Sequence, residues 1–105
     1  MVISFSCEKA RQFLLAQGWV YTWRKNRRTM LGKDWANKHR GGKKIADVYI
    51  VEVGCFKIKD LGRYVAESGF DGLDEWLENI QKLHKSGGTG ITSEWTGWLY
   101  LVTIR

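Results

Sequence analysis

Apolar and polar positions alternate along this chain with two distinct periods. Val2 to Phe5 is a short apolar run that reads as a strand, and Ser6 then stands where a helix cap would be. Glu8, Ala10, Phe13 and Leu14 follow at helical spacing, so a helix is predicted to about Gln17, with Gly18 as its stop. From Trp19 to Arg24 the period becomes two. Trp19, Tyr21 and Trp23 share one face of that strand, and Val20, Thr22 and Arg24 share the other. Ile45 to Lys57 is rich in β-branched and aromatic residues and long enough to bend or to bulge at Gly54.

Helical spacing returns further on. Asp60 to Ser68 reads as a short helix ending at Gly69. Asp71 is placed to cap a second helix, with Asp74 and Glu75 near the positive end of its dipole. Leu73, Trp76, Leu77, Ile80 and Leu83 form its buried stripe, reaching about Lys85. Ser86 to Gly90 reads as a connection. Trp95 to Ile104 is apolar on both faces and belongs in the interior of a sheet. The predicted order is β-α-β-(basic loop)-β-α-α-β, an α+β chain without internal repeats.

Charge changes the picture at one place. Positions 24 to 44 hold Arg24, Lys25, Arg27, Arg28, Lys33, Lys38, Arg40, Lys43 and Lys44 against Asp34 alone, a net +8 in 21 residues. The other 84 residues carry eight bases and ten acids, so the overall +6 is local to this stretch. Interrupted by Gly32, Gly41 and Gly42, it reads as a basic loop or arm with a turn of helix near Trp35. Such one-sided charge favours a polyanion. Six phosphate contacts would give a salt slope of roughly −5 on duplex DNA and nearer −4 on a single strand. Phosphate contacts position a protein without reading bases, so specificity needs a second element.

Aromatic side chains are candidates for that element. Trp19, Tyr21 and Trp23 fit either a platform for stacked bases or a core-facing strand. Trp35, inside the basic stretch, fits either base stacking or anchoring of the loop; Trp76 reads as core, and Trp95 and Trp98 read as sheet-packing residues, with one of the two a candidate for the pocket rim. Cys7 and Cys55, far apart in sequence, form no metal-ligand pattern and read as buried thiols. His39 and His84 are not placed as ligands, so neither a metal nor a cofactor is expected.

A length of 105 residues suits one domain spanning 1–105, and 44% hydrophobic residues with six Trp suffice for a core. No apolar run approaches a membrane span and no long apolar leader is present, which predicts a soluble, cytoplasmic protein without a membrane partner.

Taken in order, several pieces resemble the ASCH domain family of the PUA-like superfamily. They are Ile3-Ser-Phe followed by Phe13-Leu-Leu-Ala-Gln-Gly18; Thr22-Trp-Arg24, similar to a T-x-R element; the strand leading into Ile58-Lys-Asp60; Ala66-Glu-Ser-Gly-Phe70 followed by Leu73-Asp-Glu-Trp76; and Trp98-Leu-Tyr-Leu-Val102. The resemblance implies a small PUA-like β-barrel with flanking helices and a cleft that takes RNA or a single base. Some small members of the family are amidohydrolases of acetylated cytidine, using a lysine shortly before the threonine, the threonine itself and a glutamate near the helix junction. Here Thr22 keeps its place, Trp19 and Val20 occupy the lysine region, and the glutamate position falls on Ser68 or, with a one-residue slip, on Glu67. A threonine hydroxyl without a base is a poor nucleophile.

The sequence therefore favours a nucleic-acid-binding module, for RNA or single-stranded DNA before duplex. The expected contacts are Thr22, Arg24, Lys25, Arg27, Arg28, Trp35, Lys38, Arg40, Lys43 and Lys44. A nuclease or modified-nucleoside amidohydrolase on the same cleft, through Thr22 and Glu67, is the alternative from another class. Docking of an acidic protein on the basic stretch is a third.

Overall fold

The computed structural model describes residues 2–5, 7–39, 41–83 and 92–105. Five strands and two α-helices follow one another as β1 (Val2–Ser4), α1 (Glu8–Gln17), β2 (Trp19–Arg24), β3 (Gly32–Asn37), β4 (Lys44–Lys57), α2 (Leu73–Leu83) and β5 (Thr96–Ile104). Two 3₁₀ turns, Ile58–Asp60 and Gly62–Glu67, lie between β4 and α2. The strands form one sheet in the order β1-β3-β4-β5-β2, curled into a half-barrel, so the protein is a small α+β fold.

Each sheet face carries its own core. Register pairs Val20 with Val102, Thr22 with Tyr100 and Arg24 with Trp98, which puts Val20, Thr22 and Arg24 on the inner, concave face. There Ile3, Phe5, Ala10, Leu14, Val20, Ala36, Val48, Ile50, Tyr100 and Val102 pack together. The opposite face of β2 and β5 packs Trp23 and Leu99 against Ile58, Leu61, Phe70, Trp76 and Ile80. Trp19, Tyr21 and Trp23 therefore turn towards this outer core. Trp23 is buried and donates its indole N–H to the Phe56 carbonyl at 3.2 Å, and Tyr21 packs edge-on against Tyr64. Trp23 is thus committed to packing, while Trp19 and Tyr21 are half-buried.

Most predicted elements occur close to their expected bounds. Gly18 ends α1 in the left-handed region at φ 86°, donating its N–H to the Leu14 carbonyl at 2.8 Å. Register shifts in β4 between Glu52 and Gly54. This bulge changes which residues face inward, so that Phe56 joins the outer core while Glu52 still faces the concave side with Tyr100. β5 lies between β4 and β2, inside the sheet as its two apolar faces require.

Four expectations need correction. The basic stretch 24–44 is not one loop or arm, because β3 runs through its middle, parallel to β1 and antiparallel to β4. Its sequence, Gly-Lys-Asp-Trp-Ala-Asn, has little strand propensity of its own; ladder pairing on both sides and burial of Ala36 and Asn37 hold it. Asp60 to Ser68 is two 3₁₀ turns in place of a helix, closed by Ser68 N–H to the Val65 carbonyl at 3.0 Å. Cys55 is exposed, lying beyond the bulge in register with Trp98, and Cys7 is only partly buried. Cys7 itself, with extended backbone, stands at the cap of α1 and makes no side-chain cap bond. Ser6, Arg40, His84 and the connection Ser86 to Gly90 lie outside the described residues.

Candidate functional site

The two edge strands of the curled sheet, β1 and β2, approach each other without pairing. Arg24, at the end of β2, spans the gap by donating Nη2–H to the Ser4 carbonyl at the end of β1, at 3.0 Å. Ser4 is itself held to β3, donating its hydroxyl to Asn37 Oδ1 at 2.6 Å, and buried Asn37 reaches the Gly42 carbonyl at 3.4 Å. A chain of three polar side chains thus ties one sheet edge to the other.

A cavity of about 260 Å³ opens along this seam. Its walls come from the end of β1 (Ser4, Phe5), the start of α1 (Cys7, Ala10), β2 (Tyr21 to Arg24) and the outer helical layer (Phe70, Trp76, Asn79, Ile80). Thr22 and Arg24 share it, together with Tyr21 and Trp23 from the other face of the strand. Glu67 is not among its walls, because the 3₁₀ turn Gly62–Glu67 sets it off from the seam, and Ser68 is buried as a turn staple, donating to the Val65 carbonyl at 2.7 Å and accepting from Phe70 N–H at 3.2 Å. The described walls include no carboxylate, histidine or lysine. Among the described residues no group of three or more His, Cys, Asp and Glu side chains is placed to hold a metal ion.

Arg24 also lines a second hollow of about 370 Å³, made by residues 24 to 30 as the chain leaves β2. This loop is pinned down from within. Arg28 N–H donates to the Tyr100 hydroxyl at 2.6 Å, and the Arg28 guanidinium meets Asp34 at 3.1 Å, with only 15% and 6% of the two side chains exposed. Arg27 closes a two-bond fork on Glu52, at 2.9 and 3.1 Å. Lys44 pairs with Asp47 at 3.2 Å, and Lys25 lies over the Trp95 ring at 4.7 Å. Arg27, Arg28 and Lys44 are therefore engaged within the protein, and the +8 of the sequence is not all available to a partner. Lys33, Lys38 and Lys43 are exposed. Lys33 and half-buried Trp35 pair in register with Tyr49 and Asp47, outside the seam on the convex face.

Electrostatically, Arg24 is the unusual member. Burial, and next the like charge of Arg28, lower its guanidinium to about 10, with Tyr100 acting the other way. Its Nε is wholly covered and has no hydrogen-bond partner among the described residues. The guanidinium also lies 5.7 Å from the Phe5 ring centroid.

Sequence reading placed Thr22 and Arg24 together correctly but missed Asp34 as an inward ion-pair partner, and Glu52 and Tyr100 as anchors of the basic loop. One signal was present. Glu52 follows Val48 and Ile50 at period two, a charge on the apolar face of a strand. Comparison with protein families, curated proteins and solved structures gives no match to this chain. Its class rests on the fold: a small α+β half-barrel with a cavity in its seam.

Proposed function

We propose that this protein is a nucleic-acid-binding module, for RNA or single strands before duplex, built on a PUA-like barrel of the ASCH kind. The observation that carries the reading is the position of Arg24. It belongs at once to the seam cavity, beside Thr22, and to the hollow of the basic loop, so a base-sized slot and a cationic rim meet at one side chain. The turn that follows β3 adds to that rim: it leaves the sheet beside Ser4 and carries exposed Lys38 and Lys43. Thr22 supplies a hydrogen bond to a base edge and Arg24 a planar fork. With no proton acceptor among the described walls, a binding role suits the cavity better than hydrolysis.

Salt dependence tests this. Binding of a labelled single-stranded RNA should weaken steeply with salt. Replacing Lys25, Lys38 and Lys43 together by alanine should flatten the slope by about 2, at roughly 0.7 per phosphate contact. Lys33→Ala, on the convex face, should leave the slope unchanged. An unaltered slope in the triple variant would remove the basic rim from the interface.

A further inference from the structure

Arg24 is short of an anion. Among the described residues its one hydrogen bond goes to a carbonyl and its covered Nε–H has no hydrogen-bond partner, and the neighbouring charge that lowers it is another guanidinium. Among the described residues, the end of β2 and the loop after it hold the guanidiniums of Arg24, Arg27 and Arg28, and of these Arg27 pairs with Glu52 and Arg28 with Asp34. Of these three guanidiniums, Arg24 is the one with no carboxylate partner among the described residues. Lys25, beside it in the loop hollow and held over Trp95, brings a second cation. A covered donor without a partner is costly, and more so when charged, which is reason to ask what ligand it serves.

Two features narrow the ligand. A guanidinium fork matches the oxygens of a phosphate or carboxylate, and two uncompensated cations suit the roughly −1.5 to −2 of a phosphomonoester better than the single charge of a diester or carboxylate. The seam cavity, at about 260 Å³, falls below the ~300–1,000 Å³ of pockets for drug-sized molecules. It has room for one ring system, and a strand running through it would need room on both sides of the phosphate. We propose that Arg24 anchors a terminal phosphomonoester, either of a free mononucleotide or of a strand end, with the attached base in the seam cavity against Phe70 and Trp76. The choice of a nucleotide over another phosphomonoester rests on the nucleic-acid reading above.

The test uses the whole protein and follows the Arg24 Nε–H resonance in a ¹H–¹⁵N spectrum, assigned by its loss in Arg24→Lys. The four ribonucleoside 5′-monophosphates and inorganic phosphate should shift that resonance. At least one monophosphate should bind ~10-fold or more tightly than its parent nucleoside, the range expected for a charge-assisted contact, and Arg24→Lys should erase the difference. The preference for a monophosphate over its parent nucleoside, measured as an affinity on the wild-type protein, carries the test even where that variant fails to fold, and its absence would overturn the proposal. Single-stranded RNAs with phosphate or hydroxyl at the 5′ or 3′ end then separate the sources. A similar preference for a phosphorylated end assigns the site to strand termini, and a preference confined to mononucleotides assigns it to free nucleotides. A resonance unmoved by every monophosphate and by phosphate would overturn the proposal. Strands that bind with a steep salt slope but regardless of end group and of Arg24 would overturn it while leaving the nucleic-acid reading intact. Mononucleotides that bind through Arg24 when no strand binds would support the site and defeat that broader reading.

Discussion

Replacing Arg24 by methionine should make the protein more stable. Burial and Arg28 together lower the guanidinium to about 10; at about 1.4 kcal/mol per tenfold, holding it charged in the folded state costs on the order of 3 kcal/mol. Against this stands the bond from Nη2 to the Ser4 carbonyl, worth roughly 1.5–3 kcal/mol for a charged donor. Methionine keeps most of the apolar stem, fills space beside Phe5 and removes both the charge and the orphaned Nε–H. The expected balance is a gain of about 1 kcal/mol, which raises Tm by ~4–8 °C in a domain of this size. The sign with pH follows from proton binding. Between about 10 and the ordinary arginine value the unfolded chain holds a proton that folded Arg24 has released, so this group's contribution to stability rises with pH across that window. The gap between Arg24→Met and wild type should therefore be fully present at neutral pH and narrow above about pH 10. Urea and thermal unfolding at pH 7 measure it directly. A variant less stable than wild type by more than about 1 kcal/mol would show that Arg24 is a structural tie whose bond to Ser4 outweighs its burial, and would refute this reasoning. A stabilised variant that has also lost ligand binding would be the ordinary exchange of stability for function at a site.

Two further outcomes follow from the same geometry. Asp34→Ala should destabilise by ~3–5 kcal/mol by urea unfolding, because it leaves the largely buried Arg28 unpaired beside Arg24; a loss under about 1 kcal/mol would mean that Arg28 escapes to solvent. Gly97→Ala should cost ~1–3 kcal/mol, since a Cβ there overlaps the Trp23 indole and crowds the Arg24 carbonyl, and near-neutral stability would show that β2 can shift away from β5.

Local pattern was enough for the elements whose burial follows their own sequence. The helical stripe of Leu73, Trp76, Leu77 and Ile80 and the shared face of Thr22 and Arg24 are set by 3.6- and two-residue periods, and the stop at Gly18 by glycine's freedom at positive φ, all of which act over a few neighbours. β3 was not legible in this way. Lys33, Asp34, Trp35 and Asn37 form a strand because β1 and β4 supply hydrogen bonds on both sides and because Arg28 neutralises the inward carboxylate. Those partners are distant along the chain or depend on the pairing itself. The same holds for charge. Composition concentrates nine bases in one stretch, but only tertiary structure turns Arg27 onto Glu52 and Arg28 onto Asp34 and leaves Arg24 covered without an anion. A side chain's charge is written in the sequence; whether that charge is screened, paired or stranded depends on which atoms folding brings within a few ångströms of it.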